Sequence, residues 1–194
     1  GLKLEGALRQ SGLSVAGKRC LDVGQSTGGF TDCLLQHGAA RVVGVDVGHG
    51  QLHPAMRGDA RVLCIEGVNA RALDATDLIA YSEDVAGATA SFDEKFEVIV
   101  GDLSFISLTL VLPALVPLLA SQGALLMLVK PQFELQPGQV GKGGIVRDAT
   151  LYTLVEQRIR ESLASLQMQV LGWYDSAITG GDGNREFFVY ATKP

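Results

Sequence analysis

Apolar positions along the chain follow two alternating rhythms. Runs that are almost uniformly apolar, at residues 19–24, 41–47, 61–67, 96–103 and 123–129, predict strands buried on both faces of a sheet. Between them lie segments with apolar positions three and four apart, the spacing of one helix face. The first, residues 2–10, groups Leu4, Ala7 and Leu8 and stops at Gly12. Further helices are predicted over residues 28–38, 69–82, 107–120 and 149–166, the last with Leu151, Leu154, Val155, Ile159, Leu163 and Leu166 on one stripe. Residues 169–178 and 185–192 read as two more strands joined by a turn-rich Thr-Gly-Gly-Asp-Gly-Asn.

Strands alternating with helices imply a mostly parallel sheet covered on both faces. The last two strands have no helix between them, so the final one is expected to run antiparallel to its neighbour. The predicted architecture is α/β with seven strands, as one domain over residues 1–194.

The run from Leu103 to Val129 carries no charge and exceeds the roughly 20 residues that a membrane span requires. Pro113 and Pro117 interrupt it, and Ser121-Gln122-Gly123 breaks it with turn chemistry. It reads as a buried helix followed by a buried strand.

Composition narrows the class. With 47% hydrophobic and 19% charged residues the 194-residue chain can build a core, which excludes disorder. The net charge of −5 argues against coating nucleic acid through bulk positive charge. Its location changes that picture. Residues 72–101 hold seven acids and one base, leaving 15 bases against 14 acids elsewhere. Within that acidic part, residues 82–95 read as a solvated, mobile surface excursion far from any nucleic acid. Cys20, Cys33 and Cys64 form no C-x-x-C pair, which argues against a disulfide scaffold or structural zinc and for a reducing, cytoplasmic compartment. A start at Gly1 rather than Met suggests an excised or processed piece, and no signal peptide follows.

The first predicted strand runs into Asp22-Val-Gly24-Gln25-Ser26-Thr27-Gly28-Gly29-Phe30. Small residues there let backbone approach a ligand beside the free N–H groups of the next helix. The G-x-x-x-G-G spacing departs from the G-x-G-x-x-G of dinucleotide folds, and no phosphate loop occurs. An acid in the strand and a small-residue turn suit S-adenosylmethionine, which offers an amino acid and a ribose. Asp46, 22 residues beyond Gly24, is placed to accept ribose hydroxyls. Asn69 follows the third strand, where it is placed for an adenine contact, a helix N-cap or both. Asp102 and Lys130 close the fourth and fifth strands, at the carboxyl ends where open α/β sheets bind ligands. Glu186 opens the last strand and is expected to reach Lys130 if that strand lies beside the fifth.

Seven stretches in order, GLKLEGAL (1–8), LDVGQSTGGFTDCLL (21–35), VDVGHGQL (45–52), DLSFISL (102–108), LVKPQFE (128–134), VGKGGIVRD (140–148) and ITGGDGNREFF (178–188), resemble the TlyA-type haemolysin/rRNA methyltransferase family of FtsJ-like RNA ribose methyltransferases. The resemblance implies a Rossmann-like class I methyltransferase fold. It also implies S-adenosylmethionine as cofactor and methyl transfer to a ribose 2′-hydroxyl of ribosomal RNA, free or in ribosomal subunits. A Lys-Asp-Lys-Glu tetrad then falls on Lys3, Asp102, Lys130 and Glu186, and an S4-type RNA-binding domain is expected upstream. Gln25 departs from the family's usual alanine. Lys130 is expected to act as base or alkoxide stabiliser, oriented by Asp102 and Glu186, with Lys3 holding the ribose or its proton path. RNA contact is expected from Lys3, Arg9, Lys18, Arg19, Lys142, Arg147 and Arg185. Arg41, Arg57 and Arg61 are read as solvated surface, and His49 and His53 as exposed side chains without a metal. The alternative class, a cytolysin, rests on the haemolysin name; no stable membrane association is expected, and no oligomeric state is implied.

Overall fold

The computed structural model describes residues 1–76, 78 and 95–194. The excursion expected over 82–95, except Lys95, and the later part of the helix expected over 69–82 lie outside the described residues. Seven strands form one sheet: β1 (Arg19–Val23), β2 (Arg41–Asp46), β3 (Val62–Glu66), β4 (Phe96–Gly101), β5 (Leu119–Val129), β6 (Gln169–Asp175) and β7 (Phe187–Thr192). Their order is β3-β2-β1-β4-β5-β7-β6. The first five pair in parallel, and β7 is antiparallel to both β5 and β6. The chain winds outward from β1 to β3 and then returns to β4 on the other side of β1. The strand order therefore reverses between β1 and β4, a switch point that opens a crevice at their carboxyl ends.

The helices among the described residues are α1 (Leu2–Ser11), α2 (Gly29–Gln36), α3 (Pro54–Arg57), α4 (Leu108–Leu115) and α5 (Thr150–Ser165). Alternation along each buried strand feeds two cores. Leu125, Met127 and Val129 of β5 join a cluster with Val111 and Leu115 of α4 and Val155, Ile159 and Leu163 of α5. Leu126 and Leu128 face the opposite cluster, with Leu4 and Leu8 of α1 and Leu34 of α2. The apolar stripes expected for residues 2–10 and 149–166 are thus the buried faces of α1 and α5. Gly12 ends α1 at φ 72, its N–H donating to Leu8 O at 3.0 Å, as a left-handed cap requires.

The helix expected over 107–120 is shorter. It stops at Leu115, a 3₁₀ turn at Val116–Leu118 contains Pro117, and β5 begins at Leu119. Proline 117 has no N–H to continue the ladder, and uniform apolarity alone cannot separate a buried helix from a buried strand. The Ser121-Gln122-Gly123 break is an irregularity inside β5, where Gln122 takes φ 63 and its N–H donates to Lys193 O at 2.8 Å. After β3, Asn69 caps a 3₁₀ turn at Ala70–Ala72 instead of opening an α-helix there. Among the described residues no helix is long and apolar enough to cross a membrane.

Candidate active site

Three of the expected side chains and the glycine turn stand where the parallel strands end. Asp46 closes β2, Asp102 follows β4, Lys130 follows β5, and the Gly24–Phe30 turn links β1 to α2. Gly24 holds φ 79, and a Cβ there would lie 2.4 Å from Asp102 O, so only glycine permits this approach of β1 to β4 at the switch point. Gly28, the N-cap of α2, holds φ 102, and a Cβ on it would meet Met56 and Leu52.

Two cavities, of about 370 and 540 Å³, share Gly24, Ser26 and Asp102 as walls and form one groove along the carboxyl edge. Lys3, Gln25, Thr27, Gly29, Phe30 and Ile178 line the smaller half. Asp46, Val47, Gln51, Asn69, Phe105 and Ile106 line the larger. Asp46 Oδ2 accepts from Ser26 N–H at 2.6 Å and Oδ1 from Gly48 N–H at 2.8 Å. An ionised carboxylate has about four acceptor positions, so two remain for hydroxyls in the groove. Asn69 both faces the larger half and caps its turn, accepting from Arg71 N–H at 3.0 Å.

Asp22 does not line the groove. It is fully buried beneath the turn, where Thr31 Oγ1 donates to Asp22 Oδ2 at 2.7 Å and Gln25 Nε2 donates to Thr31 Oγ1 at 2.8 Å. Burial pushes the Asp22 carboxyl up to about 7, against the Thr31 hydrogen bond. The expected direct cofactor contact is replaced by a buried chain that shapes the turn. Gln25 fills space over β2 that a Cβ at Gly44 would occupy.

The tetrad divides into two ion pairs. Lys130 Nζ lies 2.6 Å from Asp102 Oδ1 and donates to Ser104 Oγ at 2.9 Å. Glu186, expected beside Lys130, instead accepts from Lys3 Nζ at 2.7 Å. The register alone does not decide this. β7 lies next to β5, and the Val129–Phe187 pairing carried one step further sets Glu186 opposite Lys130, yet both residues stand outside the paired strands and their side chains part, Glu186 toward α1 and Lys130 toward Asp102. Lys3 and Asp102 line the same half of the groove, so each pair contributes one residue to it.

The proposed RNA cations fall in different places. Lys142 and Arg147 are exposed on the 140–148 loop, which the buried Asn184 holds by accepting from Val146 N–H at 2.9 Å and donating to Gly144 O at 2.8 Å. Arg185 pairs with Asp175 at 2.7 Å and lies over the Tyr152 ring. Arg9 is exposed, two turns along α1 from Lys3. Lys18 and Arg19 stand at the amino end of β1, the opposite edge of the sheet, and Arg19 lies 3.3 Å from Glu97. They share no surface with the groove. Arg57 and Arg61 pair with Glu66 and Asp59, and His53 caps α3 by accepting from Ala55 N–H.

Several site residues escaped the sequence reading. Thr31 bridges Asp22 and Gln25, and Ser104 holds the Lys130 amine. Phe105 sits at the mouth of the larger half, 90% exposed, at φ 64, with its ring 5.1 Å from Phe133. An exposed aromatic inside an uncharged run gives no periodic signal.

A seven-stranded sheet with an antiparallel β7 and a groove at its β1/β4 switch point defines a class I methyltransferase fold. A solved N-methyltransferase NodS from Bradyrhizobium japonicum in complex with S-adenosyl-L-homocysteine has the same fold at TM-score 0.62 and 15% identity, over 99% of this chain and 88% of that one. The chain belongs to the FtsJ-like methyltransferase family, whose profile matches residues 1–193. It is 45% identical over 194 residues to the 16S/23S rRNA (cytidine-2'-O)-methyltransferase TlyA of Mycobacterium tuberculosis, a match covering 97% of this chain and 65% of the relative. A solved structure from Streptococcus thermophilus that carries a hemolysin name superposes at TM-score 0.89 with 39% identity, over 99% of this chain and 65% of that one. The chain thus spans less than two thirds of the length of these two relatives.

Proposed function

We propose that this chain binds S-adenosylmethionine in the groove and transfers its methyl group to a ribose 2′-hydroxyl of ribosomal RNA. The observation that carries the reading is Asp102 on the wall common to both halves of the groove, ion-paired with Lys130, with Lys3 of the Lys3–Glu186 pair lining the smaller half. The family, and the activity in the mycobacterial relative's name, support it.

The groove fits the cofactor chemically. Its glycine turn has no room for a Cβ at Gly24 or Gly28. Asp46 keeps acceptor positions for two ribose hydroxyls. Gln25 Oε1 is buried without a partner beside the smaller half, an acceptor suited to the ammonium of an amino acid. The combined volume lies in the range of small-molecule sites. When bound, S-adenosylmethionine supplies an electrophilic methyl on a sulfonium. Asp102 and Ser104 orient the Lys130 amine. As a cation held by an ion pair, it stabilises the oxygen of a ribose hydroxyl as that group gives up its proton to solvent. Lys3, held by Glu186, places a cation on the smaller half of the groove. Much of the acceleration then comes from fixing the acceptor oxygen in line with the methyl.

Phe105 and Phe133 present aromatic surface at the mouth, suited to stacking an unpaired base, the way proteins hold single-stranded RNA. Lys142 and Arg147 supply phosphate contacts from the 140–148 loop, where backbone N–H groups and two cations combine. A ribosomal RNA substrate places the working protein in the cytoplasm.

The test uses purified protein, methyl-labelled S-adenosylmethionine and ribosomal subunits, with the labelled RNA hydrolysed in alkali. Label in alkali-resistant dinucleotides is expected, because a methylated 2′-oxygen cannot attack its neighbouring phosphate. Label recovered as methylated bases, or no label, overturns the reading.

A further inference from the structure

The Lys130 amine sits between two groups of another loop, Asp102 and Ser104. Its position therefore depends on how the loop after β4 is held against the loop after β5. Both leave regular structure: Phe105 takes φ 64, and Pro131–Phe133 forms a 3₁₀ turn.

One side chain ties them. Glu134 Oε1 accepts from Leu108 N–H at 2.8 Å, and Glu134 Oε2 accepts from the Ser107 hydroxyl. Ser107 is the N-cap of α4, so the carboxylate meets the positive end of an eight-residue helix. Its own main chain is anchored from behind, as Arg158 Nη1 on α5 donates to Glu134 O at 3.1 Å. The Phe105–Phe133 ring contact lies inside the same bracket. Partial burial pushes the Glu134 carboxyl above its usual range, against the bonds from Ser107 and Leu108. A partly desolvated carboxylate is costly where an apolar side chain would pack as well, so its bonds to the 102–108 loop are what its placement serves.

We propose that Glu134 is a positioning residue for methyl transfer: it clamps the loop bearing Asp102, Ser104 and Phe105 onto the loop bearing Lys130, and so sets the geometry of the Lys130 amine and of the aromatic mouth. This rests on the functional reading above.

The test compares wild type, Glu134→Ala and Glu134→Gln for kcat and its pH profile on ribosomal subunits, S-adenosylmethionine affinity by calorimetry, and thermal unfolding. Misplacing a reacting group by about 1 Å costs up to about a hundredfold in rate. The Ala variant is expected to lose about ten- to a hundredfold in kcat and to shift the pH profile, while cofactor affinity stays within about twofold of wild type. The Gln variant retains an acceptor for Leu108 N–H and recovers most of the rate. An Ala variant with unchanged kcat and pH profile overturns the inference. So does one that loses cofactor binding or folding in step with rate, or a Gln variant as impaired as Ala. Absence of transfer by the wild type overturns the functional reading, and this inference with it.

Discussion

Lys3 on the first helix lies 2.7 Å from Glu186 before the last strand, joining residues 183 positions apart across the wall of the groove. The two ends differ in burial, with the Lys3 side chain 23% exposed and that of Glu186 only 3%. Lys3→Ala strands a buried carboxylate without a partner and is expected to cost about 1–3 kcal/mol. Adding Glu186→Gln removes the stranded charge, so the double variant is expected to be more stable than the sum of the single losses. Urea unfolding of the four proteins checks this, and additive losses contradict it.

Asp22 gives the fold a pH dependence of known sign. Burial raises its carboxyl to about 7, so the folded state favours the neutral form. The resulting stabilisation is complete below the ordinary carboxylate value near 4 and is lost as pH rises through about 7, by at most about 1.4 kcal/mol per pH unit. Asp22→Asn keeps an acceptor for Thr31 and cannot ionise. Its stability relative to wild type is expected to improve steadily from about pH 4 to about pH 7 and then level off. Parallel stability curves contradict this account of the buried chain.

Gly24→Ala forces a side chain into a left-handed conformation and against Asp102 O. A stability loss of about 1–3 kcal/mol is expected, together with a drop in S-adenosylmethionine affinity seen by calorimetry. A variant with wild-type melting temperature and affinity removes the close β1–β4 approach from the account.

Phe105 is 90% exposed and held at φ 64, so trimming it removes little packing. Stacking on an aromatic side chain is worth about 1–3 kcal/mol per base. Phe105→Ala is therefore expected to raise KM for the RNA substrate about tenfold or more, with unchanged melting temperature. Phe105→Tyr is expected to retain binding. Equal KM values for Ala, Tyr and wild type contradict a base-stacking role.

The features legible in the sequence share one property: they are local breaks in a buried pattern. Asp46, Asp102 and Lys130 each end an apolar run with a charge, and the strand positions followed directly. Glycines 24 and 28 could be read because a turn between a strand and a helix constrains the backbone within a few residues. Long-range pairing was not legible in this way. β7 beside β5 brings Glu186 to the Lys130 end of the sheet, yet its side chain meets Lys3 of α1, 183 positions away, and no local pattern encodes that contact. Lys18 and Arg19 looked like RNA contacts from charge alone, yet they occupy the amino end of the strand whose carboxyl end forms the site. The extent of α4 was ambiguous because a helix and a strand lay side by side in one uncharged run. Glu134 ends the LVKPQFE stretch, but its role depends on Leu108 and Ser107, 26 and 27 residues earlier in the chain.

The central claim is that Lys130, held by Asp102, serves methyl transfer and not cofactor binding. Its most direct measurement is single-turnover methylation of ribosomal subunits by Lys130→Ala, with S-adenosylmethionine affinity measured calorimetrically on the same sample. The account predicts affinity within about threefold of wild type and a rate reduced by about a hundredfold or more, the scale of removing one preorganised electrostatic group. A Lys130→Ala protein that binds the cofactor normally and methylates at the wild-type rate would contradict it.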